Sequence, residues 1–588
     1  MRIKFLLYFV AFIMLLILIR VYNISIKSNT YYDELAKQNH IKKIFKAPTR
    51  GIIRDRNGIP LAINNVGFAL SIKPHMNSPL QKQELEKIAK LINHNFPKYL
   101  VEDILDIYQR NNSPYRHEFI DVVEFIPYED FFHKFTIFNS INEIQISDAT
   151  KRFYPYKEVG AHVIGYVGKA NRVDYTNDEI TKYTNILGKT GLEQQYNHIL
   201  QGTLGYKEVK VNALNQEVEI INIVEPSNNN DITTTIDIHL QQYIHDIFRG
   251  LGGVVIVQDV NNGEILAAAS FPEYDNNIFV SGISHEQWKE MKNDFNNPFT
   301  NKIINGLYPP GSVIKMGIAL SFLENGLSRN FSVYCSGEIQ VGNRRFRCWK
   351  PDGHGTTDYV KAISESCDVF FYEGSLKIGI SKIANTMKKL GFGEKTGVDL
   401  PNEFIGINPS KEWKSLKYNK PWYIGETINT SIGQGYFLVT PLQVSKFISY
   451  LASGTLYTPH FVKNENQTAQ KLDYQDRDLE LMRKGMYEVA NTSMGTASRH
   501  LTTKVQLAAK TGTAQVVGIP QDQKKRMKED QLEYYERSHA WLSAYGPYKN
   551  PQYSVTVLRE HGGYGASVTG YEVSKIFDKL VELGYIKE

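Results

Sequence analysis

The sequence predicts a mixed α and β protein, of α/β (α+β) class, held to a membrane by one N-terminal helix. Three observations predict it. An uninterrupted apolar run, Phe5 to Ile19, stands behind Met1-Arg2-Ile3-Lys4, and no second run of that kind follows. A tract of turn formers, Glu225-Pro226-Ser227-Asn228-Asn229-Asn230-Asp231, divides the rest of the chain into two long parts. In the second part, short strand-like runs alternate with helical stretches.

The 588 residues are too many for one ordinary core, so two or three domains are expected. A hydrophobic share of 42% beside 22% charged residues excludes a disordered or fibrous chain. The net charge of +5 is small for this length. The short clusters Lys42-Lys43 and Lys524-Lys525-Arg526 read as solvated surface, which argues against nucleic acid as a partner.

Residues 1–4 read as a cytoplasmic tail and residues 5–24 as the membrane anchor. At ~1.5 Å per residue, Phe5 to Ile19 falls short of a ~30 Å hydrocarbon core. Arg20 can snorkel and Val21 to Ile26 stay fairly apolar, so a full span is reached. No small-x-small pattern follows the run, which argues against a cleaved signal peptide. Arg2 and Lys4 stay inside, and the chain beyond is sent outward.

Residues 25–230 mix strand-like and helical patterns with polar turns such as Asn64-Asn65, and they hold no catalytic constellation. Residues 231–588 open with Thr233 to Ile238, and Gly253 to Gln258 and Glu264 to Ser270 read as strands. The chemistry begins at Gly306-Leu307-Tyr308-Pro309-Pro310-Gly311-Ser312-Val313-Ile314-Lys315. Two prolines and a glycine end what precedes, and Val313 to Leu323 then reads as an apolar helix. Ser312 therefore stands at a helix start, where unpaired N–H groups and the dipole stabilise a developing oxyanion. Lys315 returns to the same face one turn later, where burial favours its neutral form and lets it take the serine proton. Ser-x-x-Lys alone is also what an N-cap serine and a surface lysine look like.

It does not stand alone. Ser366-Cys367-Asp368 follows, then Lys510-Thr511-Gly512-Thr513-Ala514-Gln515 behind the apolar run Val505 to Ala509. Gly512 leaves room for a substrate backbone along that strand. Lys510, with the hydroxyls of Thr511 and Thr513, is placed to hold a terminal carboxylate, and the N–H groups of Ser312 and Thr513 to form an oxyanion hole. Lys395-Thr396-Gly397 repeats the tripeptide between Gly391-Phe392-Gly393 and Asp399-Leu400-Pro401, which is turn chemistry, so its role is structural.

Three motifs in this order resemble those of penicillin-binding proteins and serine β-lactamases. The chain is similar to class B penicillin-binding proteins, and among them to the elongation-type penicillin-binding protein 2 group. Arg50-Gly51-Ile52-Ile53-Arg54-Asp55-Arg56-Asn57-Gly58, Ala161-His162-Val163-Ile164-Gly165-Tyr166-Val167-Gly168 and Gly191-Leu192-Glu193 resemble its signatures in the first half. Tyr274-Asp275-Asn276, Ser431-Ile432-Gly433-Gln434-Gly435 and His539-Ala540-Trp541 do so in the second, and Tyr308-Pro309-Pro310-Gly311 favours the elongation group. Asp368 stands where asparagine is usual, which also resembles that group and leaves the hydrogen bonding there open.

The resemblance implies a penicillin-binding transpeptidase domain, β-lactamase-like in fold, at 231–588 on an elongated, dimerisation-like pedestal at 25–230. It implies a serine-type peptidoglycan D,D-transpeptidase in the bacterial inner (cytoplasmic) membrane, single-pass, with its bulk in the periplasm. Ser312 would attack the penultimate D-alanine of a stem peptide, expel the last D-alanine, and pass the acyl group to an amine of a neighbouring stem. Lys315 would be the base, Ser366 the proton relay, and Lys510, Asp368, Thr511, Gly512 and Thr513 the donor-binding groups. β-Lactams would trap the acyl state. Implied partners are a glycan-polymerising membrane protein of the SEDS family and the elongation machinery. A scaffold without turnover, a D,D-carboxypeptidase and a β-lactamase are the alternatives.

Cys335, Cys348 and Cys367 are the chain's three cysteines, and His354 lies among them in the spacing C-x12-C-x5-H-x12-C. Two readings compete. Either Cys335 and Cys348 form a disulfide and Cys367 is a small buried hydrophobe, or the four residues hold a structural Zn²⁺. The odd count argues against a simple disulfide framework. Asp352 or Asp358 stands ready to replace one ligand.

Overall fold

The computed structural model describes residues 2–27, 41–115, 118–178, 180–211, 217–227, 230–463, 468–516 and 528–587. The Lys524-Lys525-Arg526 cluster, and Asn228 and Asn229 of the turn-forming tract, lie outside them. The chain forms two compact units, one from residues 1–51, 169–187 and 198–230, the other from residues 52–168, 188–197 and 231–588.

In the first unit, the helix Arg2–Tyr22 continues as a π-helical turn, Asn23–Lys27. The helix runs straight through Arg20, and the stretch long and apolar enough to cross a membrane is Ile3–Ile26. Its 24 residues reach ~36 Å at the α-helical rise, enough for a bilayer core. Large apolar side chains are exposed along its whole length, as lipid contact requires. The unit also holds a three-stranded antiparallel sheet in the order Ile41–Lys46, Gly205–Val211, Glu217–Val224. The last strand is exposed at every residue, including Val218, Ile220, Ile221 and Ile223.

The second unit contains two five-stranded sheets, besides smaller two-stranded ones. The first centres on the long strand Pro60–Ile72, which pairs antiparallel with Ile53–Arg54, Ile120–Pro127 and Ile144–Phe153. Ile232–Thr233 adds to Ile53–Arg54 in parallel, just before the chain enters its last 350-odd residues. Two helices close one face. Pro79–Asn95 starts at a reciprocal cap, in which Ser78 accepts from the Gln81 N–H and the Gln81 side chain accepts from the Ser78 N–H. It and Val101–Asn111 bury Leu85, Ile88, Ile92, Ile104 and Tyr108 against Leu70, Ile72, Ile120 and Val123.

The second sheet has five strands, in the order Ile265–Phe271, Gly253–Asp259, Tyr553–Arg559, His539–Gly546, Ala508–Ala514. Both expected strands are present, each within one residue of the range read from sequence. Every neighbouring pair is antiparallel, so this half is α+β and not a parallel α/β sheet. Val254-Val255-Ile256-Val257 is apolar on both alternating sets because both faces of the sheet are covered. Pro441–Ser453, Ile238–Phe248 and Gly565–Glu582 pack on it. The Lys510 strand is the edge, and that leaves one side of its backbone open to the site.

Candidate active site

Ser312 is carried by a turn fastened at four points. The Tyr308 backbone exchanges hydrogen bonds with Val439 at 3.0 and 2.9 Å. The Trp541 indole donates to the Pro309 carbonyl at 3.2 Å, and the Gly311 N–H donates to the Gly433 carbonyl at 2.9 Å. The fourth is the Tyr308 hydroxyl, which donates to Glu560 at 2.7 Å. Gly311 takes φ 54°, and the chain then enters a 3₁₀ turn, Gly311–Ile314, that runs into the α-helix Lys315–Glu324. The α-helix expected from Val313 thus begins two residues later, after a tighter turn. Ser312 is half-buried, and its hydroxyl has no hydrogen-bond partner among the described residues.

Lys315 lies one turn on and is completely buried. Its Nζ reaches Asp368 Oδ1 at 2.7 Å, the Ser366 carbonyl at 2.9 Å and Ser366 Oγ at 3.2 Å. Three acceptors match the three donors of an ammonium group. Lys510, also completely buried, donates to Ser366 Oγ at 3.0 Å and to the Thr511 carbonyl at 3.1 Å. Burial, and then the neighbouring Lys315 charge, push Lys510 well below the ordinary lysine range. Sequence reasoning had not singled out Lys510 for such a depression; its hydrogen bonds go to a hydroxyl and a carbonyl and not to a carboxylate.

Ser366 joins the helices Tyr359–Ser364 and Asp368–Ile378 with φ 54°, a left-handed conformation that costs a non-glycine residue about 1–2 kcal/mol. That twist sets its hydroxyl between the two lysines. Asp368 opens the second helix, and burial raises its carboxyl while the Lys315 charge opposes the rise. Its second oxygen accepts the Trp349 N–H at 3.0 Å. That contact answers the question left by aspartate in place of asparagine: this side chain pairs with a lysine and a backbone donor together.

The Lys510 strand runs through the tripeptide itself, starting at Ala508, so the apolar run Val505 to Leu507 precedes the strand. Gly512 also meets a constraint from within the fold. A Cβ there would meet Val313 Cγ1 at 2.9 Å and the Pro310 carbonyl at 3.1 Å, so the glycine lets the strand touch the nucleophile turn. The Thr511 hydroxyl bonds that of Thr496 at 2.8 Å, and Thr513 Oγ1 accepts the Gly565 N–H at 3.3 Å. The Thr513 carbonyl accepts from the Gln434 amide at 3.2 Å, facing away from the neighbouring strand. In an antiparallel strand a residue's N–H and C=O share a side, so the Thr513 N–H looks outward too. Lys395-Thr396-Gly397 sits in no strand; the Glu403 carboxylate takes the N–H groups of Thr396 and Gly397 at 2.7 and 3.2 Å.

Cys335, Cys348, His354 and Cys367 are all buried, and one potential ligand atom from each lies within 4.8 Å of the others. The three cysteines are free thiols. Both Cys335 Sγ and Cys348 Sγ are 3.5 Å from His354 Nδ1. A tetrahedral zinc with Zn–S near 2.3 Å and Zn–N near 2.0 Å sets roughly that N to S separation. The hydrogen bond from Cys367 pulls the Cys348 thiol far below the thiol range, while that same bond holds Cys367 up and burial raises Cys335. His354 Nε2 makes no hydrogen bond among the described residues and has the Glu365 carboxylate 3.9 Å away. The donor set therefore fits zinc. Asp352 is exposed and Asp358 caps the helix Tyr359–Ser364, so neither replaces a ligand. Cys348 Sγ also accepts the Asp368 N–H at 3.4 Å, which ties the cluster to the lysine pair.

Sequence reasoning brought together Lys315, Ser366, Asp368 and Lys510 correctly, and it missed Trp349, Thr496 and Glu560. None of these three lies in a motif, and each acts from a loop or strand end distant in sequence. Gln434 and Trp541 were visible only as members of signatures without a stated task.

Comparison with known proteins bears on the family. The penicillin binding protein transpeptidase domain matches residues 253–582, and the penicillin-binding protein dimerisation domain matches residues 45–234. The peptidoglycan D,D-transpeptidase MrdA of Escherichia coli K12 is 34% identical, across 97% of this chain and 93% of its own. That of Haemophilus influenzae is 35% identical, across 95% and 88%. Penicillin-binding protein PBP2 of Helicobacter pylori, solved in complex with MreC, superposes with a TM-score of 0.85 at 44% identity, covering 93% of this chain and 99% of that one. PBP2 of Pseudomonas aeruginosa, solved with WCK 5153, gives 0.68 at 28% identity over 92% and 96%. The chain belongs to the penicillin-binding protein transpeptidase family, with a dimerisation domain ahead of a serine-type transpeptidase domain.

Proposed function

We propose that this chain cross-links peptidoglycan stem peptides as a D,D-transpeptidase, with Ser312 as the acyl-ester nucleophile. The observation that carries the reading is the convergence of Lys315 and Lys510 on the Ser366 hydroxyl, one helical turn from Ser312. Lys315, once neutral, takes the Ser312 proton as the oxygen attacks the penultimate D-alanine carbonyl. The outward N–H of Thr513 and that of Ser312 stabilise the oxyanion. Ser366 carries the proton onward to the departing D-alanine and takes one from the entering amine. Lys510, Thr511 and Thr513 hold the donor's carboxylate, Gly512 keeps the strand against the turn, and Asp368 orients Lys315.

Transfer separates this reading from its rivals. The purified chain, given a D-alanyl-D-alanine stem peptide and an amine acceptor, is expected to release D-alanine and form the amide. Release without amide is a carboxypeptidase, rapid loss of a penicillin adduct is a β-lactamase, and neither release nor adduct is a scaffold.

Zinc is proposed at Cys335, Cys348, His354 and Cys367, and bound there it would act as a structural cross-link. The geometric fit and the lowered Cys348 thiol support it. The apolar helix Ile3–Ile26 supports a single-pass protein of the bacterial inner membrane. Arg2 and Lys4 at its N-terminal end support a periplasmic catalytic part. We read residues 25–230 as the pedestal and 231–588 as the transpeptidase domain. The relative solved with MreC supports an MreC-like partner, and the resemblance to the elongation-type group is what suggests a SEDS-family one.

A further inference from the structure

Tyr308 and Glu560 are bonded outside the reacting groups. Tyr308 precedes Ser312 by four residues, and its ring is nearly buried against His539 and Trp541. Glu560 follows the strand Tyr553–Arg559, at the end nearest the turn. One carboxylate oxygen accepts the Tyr308 hydroxyl at 2.7 Å, and the other pairs with the buried ammonium of Lys302. Lys302 also donates to the Phe271 carbonyl at 2.8 Å, so the carboxylate is held from the sheet side. Burial, and then the Glu560 charge, keep the Tyr308 phenol well above its ordinary range, so it stays a donor.

A cavity of about 440 Å³ opens beside this pair, lined by Asp294, Leu307, Tyr308, His539, Glu560 and His561. The ring borders that space on one side, and the hydrogen bond to Glu560 holds its hydroxyl there. The other three fastenings of the turn grip backbone atoms. This one alone grips a side chain of the turn, that of Tyr308, which is followed by two prolines whose φ angles are locked. A buried carboxylate and ammonium add little net stability, so the effect to measure is the geometry they fix.

We propose that Glu560 is a positioning residue for acylation, setting the pose of the Ser312 turn through the Tyr308 hydroxyl. The proposal rests on the reading of Ser312 as nucleophile. Stopped-flow acylation of the full chain by a fluorescent penicillin separates reversible binding from the acylation rate constant. Tyr308→Phe is expected to slow the acylation step about tenfold, with reversible binding and the thermal midpoint nearly unchanged. In a Glu560→Ala background the same substitution is expected to cost less than about twofold, because the two act as one unit. Glu560→Gln, whose amide oxygen still accepts the phenol, is expected to recover at least about half the parental rate constant. Should Glu560→Ala fail to fold, the Tyr308→Phe and Glu560→Gln pair carries the test. Parental acylation in Tyr308→Phe, a loss seen only in reversible binding, or full additivity of the two substitutions overturns the proposal. An adduct that persists in Ser312→Ala defeats the nucleophile reading instead.

Discussion

Lys315 and Lys510, both without solvent exposure, donate to one oxygen, the Ser366 hydroxyl, at 3.2 and 3.0 Å. Burial and the Lys315 charge disfavour a second charge on Lys510, and Asp368, beside Lys315, is the nearby carboxylate that opposes this. Ser366 is thus both a hydrogen-bond bridge and a strained hinge.

Each property has its own consequence. Ser366→Ala removes the bridge and is expected to lower the acylation rate constant about 10²-fold. Ser366→Gly removes it equally but relieves the left-handed φ of 54°. The glycine variant is therefore expected to be more stable than the alanine variant by about 1 kcal/mol. Thermal denaturation of the two decides it, and an alanine variant at least as stable as the glycine one rejects the strain argument.

The four-ligand cluster predicts about one zinc per chain by metal analysis. A strong chelator is expected to lower the thermal midpoint and to free three thiols for titration. Cys348→Ser is expected also to slow acylation, because the Asp368 N–H loses its sulfur acceptor. Protein without metal but with a Cys335–Cys348 disulfide by mass would falsify the zinc reading.

Gly433 takes φ 71°, and a Cβ there would stand 2.2 Å from the Gly311 carbonyl oxygen. Gly433→Ala is expected to displace the nucleophile turn and lower acylation about 10²-fold. Gly454 has a similar φ of 81°, yet a Cβ there meets nothing closer than Arg483 at 3.5 Å. Gly454→Ala is the control: comparable backbone strain, with acylation close to parental. Equal losses in both variants would mean that strain alone, and not contact with the turn, explains the effect.

His162 is buried and pushed down to about 4 by burial, assisted by the Lys302 charge and opposed by the Pro298 carbonyl its Nε2 contacts at 2.6 Å. The unfolded chain takes up a proton near 6.5 while the folded one does not. The stability held above pH 6.5 is therefore lost as pH falls toward 4, roughly 2 kcal/mol of it by pH 5. His162→Gln keeps a donor for Pro298 and removes the titration. Its thermal midpoint is expected to fall less than the parent's between pH 7 and 5, and parallel falls would exclude His162 as a source.

How much of this was legible in the sequence depends on how local the cause is. Ser312 to Lys315 is a spacing along one helical turn, and the Lys510 tripeptide is carried within one strand, so both were readable. The clustering of three cysteines and a histidine in one window was readable for the same reason. Strand direction was not: Gly253–Asp259 and Tyr553–Arg559 are neighbours some 300 residues apart, and nothing local marks them antiparallel. The close approach of Gly512 to Val313 and Pro310 was not readable, because that constraint comes from across the site. Glu560, Trp349 and Thr496 have no periodicity or motif, and only the fold places them against Tyr308, Asp368 and Thr511.

The most direct test of the central claim is peptide mapping by mass spectrometry after reaction of the full chain with benzylpenicillin. The account predicts one penicilloyl adduct, on the peptide that contains Ser312, and none in Ser312→Ala. An adduct on any other residue, or persistent labelling of the Ser312→Ala protein, would contradict it.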